Sequence, residues 1–303
     1  QTVLDYQDAG KKIVWELCKI RIREFSKTYC KERQKRKNCN IRLLEKRINM
    51  LDNCDDDDSK NERKTCKKQL DNLYSDDAKS AQIRARATYV EQGERSTKFF
   101  LNLEQKTQSN NVIDSIMVEG KEHSETKDLL NAIANFYDEL YSSKNINNIE
   151  IDKYLDSIEL ENILSNEVKE SIEGKISYKE CNDALKCLKL NKSPGLDGLP
   201  AEFYKKFWHK IKNIVVDAFN ESFDDGVLIE SQRRAIITLI FKKGDAQLLS
   251  NYRPISVTCV DYKLLAFCLA NRLQKVIKGI VNTSQVAYIN DRFIGTNIRL
   301  TLD

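Results

Sequence analysis

Between Lys11 and Leu51 the chain contains neither proline nor glycine. The stretch is rich in good helix formers, and its apolar residues recur at three- and four-residue steps: Ile13, Leu17, Ile20, then Ile41, Leu44, Ile48 and Leu51. That is the period of a helix, so the chain opens on a long one. The seam is interrupted, however. From Lys31 to Lys37 the sequence reads KERQKRK with no apolar side chain, which weakens a continuous coiled coil. This basic run on a helix either grips phosphates or is solvated. The acidic run Asp55–Asp58 lacks calcium-loop spacing and reads as an exposed helix-to-helix connection. A second helix is expected from about Lys60 to Gln92, stopped by Gly93.

Farther along, the period changes. Residues 112–118 alternate enough for a strand, with a turn at 119–121. Leu129–Tyr141 reads as a helix with Leu130, Ile133, Phe136, Tyr137 and Leu140 on one side, and 145–153 as loop. Ser177 and Glu180 have capping-box spacing and open a helix running through Ala184, Leu185 and Leu188. It ends in the segment 191–200, NKSPGLDGLP, whose Pro200 suits the first turn of the next helix, Ala201 to Phe223. Asp224, Asp225 and Gly226 stop that helix. Ala235–Phe241 is nearly all apolar and β-branched, the pattern of a buried strand. Tyr252–Val257 is a second strand, with Pro254 at an edge or a start. The connection between them opens on Lys242, Lys243, Gly244 and Asp245. Val260–Ile280 reads as a strong amphipathic helix, and Phe293–Leu302 begins another.

Composition narrows the class. With 303 residues, 41% hydrophobic and 32% charged, the chain can bury a sizeable core in roughly two domains. No run approaches the ~18 apolar residues of a membrane span. Nine cysteines without a C-x-x-C pair, beside two histidines, make structural zinc improbable and point to free thiols in a reducing compartment. The N-terminal Gln1 and the lack of a basic-then-apolar leader suggest a fragment or a processed product. Net charge is +6 over 1–95, −8 over 96–180 and +6 over 181–303. Basic blocks can follow a nucleic-acid backbone. No G-x-x-x-x-G-K-[ST] loop occurs between Lys121 and Asp245, so a nucleotide triphosphatase is not suggested.

Five blocks in order carry a resemblance. The segments 91–104 (EQGERSTKFFLNLE), 191–208 (NKSPGLDGLPAEFYKKFW), 237–245 with 251–256 (ITLIFKKGD and NYRPIS), 261–273 and 284–299 (SQVAYINDRFIGTNIR) look like successive blocks of reverse transcriptases from non-LTR, LINE-type retrotransposons. Coverage is roughly residues 85–303. The resemblance implies an α+β, mostly helical fold, a partial right-hand polymerase with fingers and the edge of a palm, preceded by a helical N-terminal extension. The divisions it implies are a helix-loop-helix linker over 1–84, the N-terminal extension over 85–175, and fingers with the beginning of the palm over 176–303.

The same resemblance implies roles. Lys242 and Lys243 act as point charges, and Arg253 as a bidentate contact, on the phosphates of an incoming nucleotide. Gln285 and Arg292, with Lys98 and Lys106, are template or primer contacts. Pro194, Gly195, Asp197 and Gly198 form a structural loop in which glycines permit a tight turn and Asp197 satisfies backbone donors. The third block departs from the family pattern: Ala287 stands where glycine is common, and Asn290 and Asp291 stand where a glycine commonly precedes the arginine. Two Mg²⁺ ions are expected in the complete enzyme, held by palm aspartates beyond Asp303, so no catalytic or metal residue is expected in this chain and it is not expected to polymerise alone. The pair Asp224 and Asp225 is read as a helix stop rather than a palm motif. Expected partners are template RNA, primer DNA, a deoxynucleoside triphosphate, the rest of the palm and an upstream endonuclease domain, in cytoplasm and nucleus. Two alternatives remain open: a truncated or repurposed non-catalytic RNA-binding module, and a helical scaffold.

Overall fold

A computed structural model describes residues 6, 9–52, 56–84, 112–118, 120–143, 148–158 and 164–300. The fold is mostly helical with two small sheets, so the α+β expectation holds at that level. The order is α1 (Lys11–Leu51), α2 (Asp57–Arg84), β1 (Ile116–Val118), β2 (Lys121–His123), α3 (Thr126–Tyr141), α4 (Asn148–Asp156), α5 (Asn166–Ile172), α6 (Tyr178–Cys187), α7 (Ala201–Asp224), α8 (Glu230–Arg233), β3 (Ala235–Phe241), a 3₁₀ turn (Leu249–Asn251), β4 (Tyr252–Thr258), α9 (Val260–Gln274), α10 (Ile277–Ile280) and α11 (Gly295–Leu300). Two compact units share it. The first comprises Gln1–Arg23, Asn135–Leu239 and Arg253–Asp303; the second comprises Glu24–Ala134 and Ile240–Tyr252.

The first unit is built around α7. Its Tyr204, Trp208, Val215 and Phe219 recur at helical spacing and are buried against Cys181, Ala184 and Leu185 of α6 and Leu264, Leu265 and Cys268 of α9. Val14 and Trp15, from the first turns of α1, complete that core, with Trp15 edge-on to Tyr204 at a centroid distance of 6.2 Å. Trp15 and Tyr204 are wholly buried, and each such aromatic stabilises a core by about 3 kcal/mol or more. The start of α1 is fixed by Glu221, whose Oε2 accepts from the Lys12 backbone N–H at 3.0 Å. The capping box opens α6 as its sequence predicts: Ser177 accepts from the Glu180 backbone, and Glu180 Oε2 accepts from the Ser177 N–H at 2.9 Å. Arg272 of α9 then clasps Glu180 and also donates to the carbonyls of Gly174 at 2.7 Å and Lys175 at 2.8 Å. Asp225 caps α7 and Gly226 follows at φ +66°, so the acidic pair does end a helix.

In the second unit α1 and α2 pair side by side. Arg47 makes a two-point contact to Glu62 at 2.8 Å, Arg63 reaches Asp52 at 2.6 Å, and Lys37 reaches Asp77. Ile48, Leu51 and Cys66 are buried between them. Asp56 accepts from the Ser59 N–H at 2.8 Å and caps α2, while Asp57 and Asp58 occupy its first turn. That shortens the connection read from 55–58, because carboxylates at a helix start face the positive end of its dipole. β1 and β2 pair antiparallel with Val118 opposite Lys121 and Gly120 at φ +78°, a tight two-residue turn.

Four local readings are corrected. The segment 148–156 is helix rather than loop, with no buried residue. In α3 the buried positions are Leu129, Ala132 and Tyr137, whereas Leu130 and Leu140 are exposed, because the face is set by what it packs on rather than by the widest apolar arc. The helix from Val260 stops at Gln274, and a separate turn runs over Ile277–Ile280. Lastly, β3 is not a buried strand. Every residue but Leu239 is exposed, since its two-stranded sheet has no covering layer among the described residues and β-branching reports strand geometry rather than burial.

Candidate functional site

The connection between β3 and β4 is rigidly built within the second unit. The Lys242 N–H donates to the Asn251 carbonyl at 2.9 Å. Gly244 sits at φ +97° with the Asn251 side chain against its Cα, so a side chain there would be both strained and crowded. Asp245 Oδ1 accepts from the Gln247 N–H at 2.9 Å, Asn251 Nδ2 donates to the Asp245 carbonyl at 2.9 Å, and the Tyr252 hydroxyl donates to the Ala246 carbonyl at 2.7 Å. β1 holds the same connection, its Met117 N–H donating to the Gln247 carbonyl at 2.8 Å. Lys242 and Lys243 leave this frame exposed, with no ion-pair partner among the described residues. Arg253, the second residue of β4 and part of the first unit, is also exposed and has no such partner. Unpaired cations on a pre-ordered backbone suit an anionic ligand because they need not first surrender a carboxylate.

The loop 191–200 serves the first unit's interior. Gly195 lies against the backbone of the residues before α9: a Cβ there would fall 2.5 Å from the Cys259 nitrogen and 2.7 Å from the Thr258 carbonyl carbon. Only glycine allows that approach. Gly198 follows at φ +73°, and Asp197 Oδ1 accepts from the Leu199 N–H at 3.1 Å. Asp197 Oδ2 is buried without a partner, and burial pushes its pKa upward.

Beside this loop lies a group that the sequence did not single out. Asp261, wholly buried in the first turn of α9, accepts at Oδ2 from Trp15 Nε1 at 3.0 Å, Lys19 Nζ at 3.2 Å and Gln232 Nε2 at 3.1 Å, and at Oδ1 from the Tyr262 N–H at 2.8 Å. Lys19 is 2% exposed and also contacts Glu16 at 2.9 Å and Ser231. A cleft of about 300 Å³ opens beside the pair, lined in part by Glu16, Leu196, Asp197, Ser231 and Arg234. The available signal was a lysine four residues after Trp15; the buried face of α1 here carries Val14, Trp15 and Lys19, whereas Ile13 and Ile20 of the line read from the sequence are exposed.

Asp197, Cys259 and Asp261 bring one ligand atom each to within 4.8 Å of one another. They do not fit Mg²⁺, a hard ion that takes oxygen ligands. Burial pushes the Cys259 thiol up to about 11, and it is spent on the Ser231 carbonyl at 3.3 Å. The Asp261 carboxylate is already neutralised by the Lys19 ammonium. The cluster is structural.

In the third block, Arg292 is committed to backbone. Its guanidinium donates to the carbonyls of Asn282 at 2.6 Å, Gln285 at 2.7 Å, Lys278 at 3.1 Å and Val281 at 3.0 Å. Gln285 is exposed. Two residues of this block carry backbone strain: Asp291, directly before Arg292, has φ +61°, as does Tyr288, which is 97% exposed, whereas Ala287 and Asn290 have no positive φ. Left-handed backbone explains why glycine suits this turn. Lys98 and Lys106 lie outside the described residues, as do the expected helix stop at Gly93 and the segment 91–104. All eight cysteines among the described residues are free thiols.

Comparison with known proteins adds one relative. Over 294 residues the chain is 29% identical to the "Transposon TX1 uncharacterized 149 kDa protein" of Xenopus laevis, covering 95% of this chain and 22% of that protein. The chain is similar to a transposon protein. It spans about a fifth of the length of that curated relative. No family model matches the chain. Among the described residues no helix is long and apolar enough to cross a membrane.

Proposed function

We propose that this chain is the fingers-side segment of a LINE-type reverse transcriptase, an RNA-directed DNA polymerase, in which the β3–β4 connection receives the phosphates of the incoming deoxynucleotide and the third block borders template RNA and primer DNA. The observation that carries the reading is the hydrogen-bonded connection that presents Lys242 and Lys243 exposed and unpaired. The transposon relative, matched along 95% of the chain, and the ordered sequence blocks support it. In this reading Lys242 and Lys243 neutralise triphosphate charge before in-line attack, and Arg253 orients the phosphates through its planar fork. Mg²⁺ supplies activation of the attacking hydroxyl and stabilisation of the leaving pyrophosphate when bound by palm carboxylates. The Asp197–Cys259–Asp261 cluster is unsuited to that task, so the segment alone binds and does not polymerise. The intact polymerase is intracellular, working in cytoplasm and nucleus.

The test is nucleotide kinetics in the intact polymerase. Arg253→Lys is expected to raise the deoxynucleotide KM about tenfold or more through loss of the two-point contact, about 1.4 kcal/mol. An unchanged KM removes the assignment. DNA synthesis by the 303-residue chain alone with Mg²⁺, template and primer would overturn the non-catalytic reading of this segment.

A further inference from the structure

The basic sequence run at Lys31–Lys37 does not act as a block once the helix is formed. At 3.6 residues per turn its charges separate onto different sides of α1. Lys37 turns toward α2 and pairs with Asp77, and Arg36 pairs with Glu32 at 3.5 Å. Arg33 falls on the α2-facing half of the cylinder. The remaining charges line up with others from outside the run. Lys27, Lys31, Lys35, Arg42 and Lys46 fall within an arc of about 100° on one side of the helix. All five are exposed, and none has an ion-pair partner among the described residues. The arc opposes the side that carries Leu44, Ile48 and Leu51 and the contacts to α2.

We infer that this stripe is a docking surface for a nucleic-acid phosphate backbone. Three features favour that polyanion. From Lys27 to Lys46 the stripe is about 28 Å long at 1.5 Å per residue, and most neighbouring cations are one four-residue step, about 6 Å, apart. That regular line of charge suits a chain of phosphates rather than a single anion. Among the cations lie two amides, Gln34 and Asn38, hydrogen-bonded to each other at 3.0 Å, which share a shallow groove with Lys31, Lys35 and Arg42; the carboxylate within the arc, Glu45, accepts from the Tyr74 hydroxyl at 3.1 Å. Lysine, arginine, asparagine and glutamine are the side chains that contact phosphate and sugar without reading bases. Finally, the arc carries no apolar residue of the kind an interfacial helix would insert into lipid. The inference does not depend on the polymerase reading, because it uses none of Lys242, Lys243 or Arg253.

The experiment is a salt titration of binding by the full 303-residue chain, read by fluorescence anisotropy with a single-stranded RNA and with a DNA duplex. A variant carrying Lys27, Lys31, Lys35, Arg42 and Lys46 all as Gln is compared with the unmodified chain, after circular dichroism has shown equal helicity. Each phosphate contact contributes about 0.7 to the slope of log affinity against log salt for a single strand and about 0.9 for a duplex. Five contacts therefore predict a slope shallower by about 3.5 on the single strand or about 4.5 on the duplex, and the probe whose loss reaches its own predicted value identifies the backbone form. A second variant, with Lys242, Lys243 and Arg253 as Gln, reports on the fingers reading separately. Slopes for the stripe variant equal to those of the unmodified chain on both probes overturn the inference, whatever the second variant does. Stripe-dependent binding to phosphatidylserine vesicles with no loss on either nucleic acid also overturns it.

Discussion

Replacing Lys19 by methionine tests whether the first turns of α1 are part of the first unit's core rather than a linker running past it. Methionine keeps most of the apolar stem and removes only the ammonium, so the packing loss is small. What remains is an Asp261 carboxylate, 0% exposed, with Trp15, Gln232 and one backbone N–H as neutral donors. Breaking one side of a buried ion pair costs about 3–5 kcal/mol, against a total of about 5–15 kcal/mol for a typical domain. Asp261→Asn in the Lys19→Met background removes the stranded charge and is expected to recover about 2 kcal/mol, so the two substitutions are strongly non-additive. The assay is urea unfolding followed by tryptophan fluorescence. Both tryptophans, Trp15 and Trp208, belong to the first unit's core, so the signal reports that unit alone. A cost below 1 kcal/mol for Lys19→Met, or additive costs in the double variant, would refute the reasoning. Burial alone pulls the Lys19 pKa down, but Asp261 and Glu16 outweigh it and the net shift is upward. A raised lysine stabilises fully below its unfolded value, about 10.4, and loses that contribution as pH rises through the higher folded value, so the Lys19→Met deficit should shrink only under strongly alkaline conditions.

Glu180 is held down to about 2 by the Arg272 guanidinium and by the Ser177 donors, against the upward pull of burial. A depressed carboxyl contributes fully above its unfolded value and loses that contribution as pH falls toward the folded one. The stability difference between the native chain and Glu180→Gln, on the order of 1–2 kcal/mol after screening, should therefore persist at pH 6 and fade between about pH 4.5 and 2, by urea midpoints across that range. Gly195→Ala meets backbone at Cys259 and should cost about 1–3 kcal/mol or more, whereas Gly198→Ala, with open space but φ +73°, should cost about 1–2 kcal/mol; equal melting temperatures would argue against the close approach. Tyr288→Gly relieves a left-handed backbone under an exposed ring and should stabilise by about 1 kcal/mol, and a lower melting temperature would refute that strain. Arg292→Gln frees four carbonyls and should speed amide exchange over 278–292 while leaving α7 unchanged.

Local signals were legible wherever the physics is local. Helix α1, the Ser177–Glu180 box, the stop at Asp225 and Gly226, and the turn between β1 and β2 each follow from residues within a few positions of one another. The same reading missed burial. β3 looks buried because it is β-branched and apolar, yet among the described residues nothing covers its two-stranded sheet. The Asp197 loop reads as a turn, but the demand for glycine at 195 comes from the Cys259 backbone, which no local pattern shows. Arg292 reads as a free cation until its four carbonyl acceptors are seen.

By itself the sequence determined most of the helices and several of their caps, that the chain is charge-rich, and an ordered set of blocks that resembles LINE-type elements. Periodicity, caps and glycines act over three or four residues, and a linear string records them fully. The tertiary structure alone decided which charges are spent. Lys19 is consumed by Asp261 across 242 positions and Lys37 by Asp77 across 40, while Lys31, Lys35 and Lys242 keep their charge for solvent or a ligand. A cation's availability depends on which carboxylate folding brings within about 4 Å, and that distance is a property of packing rather than of sequence neighbours.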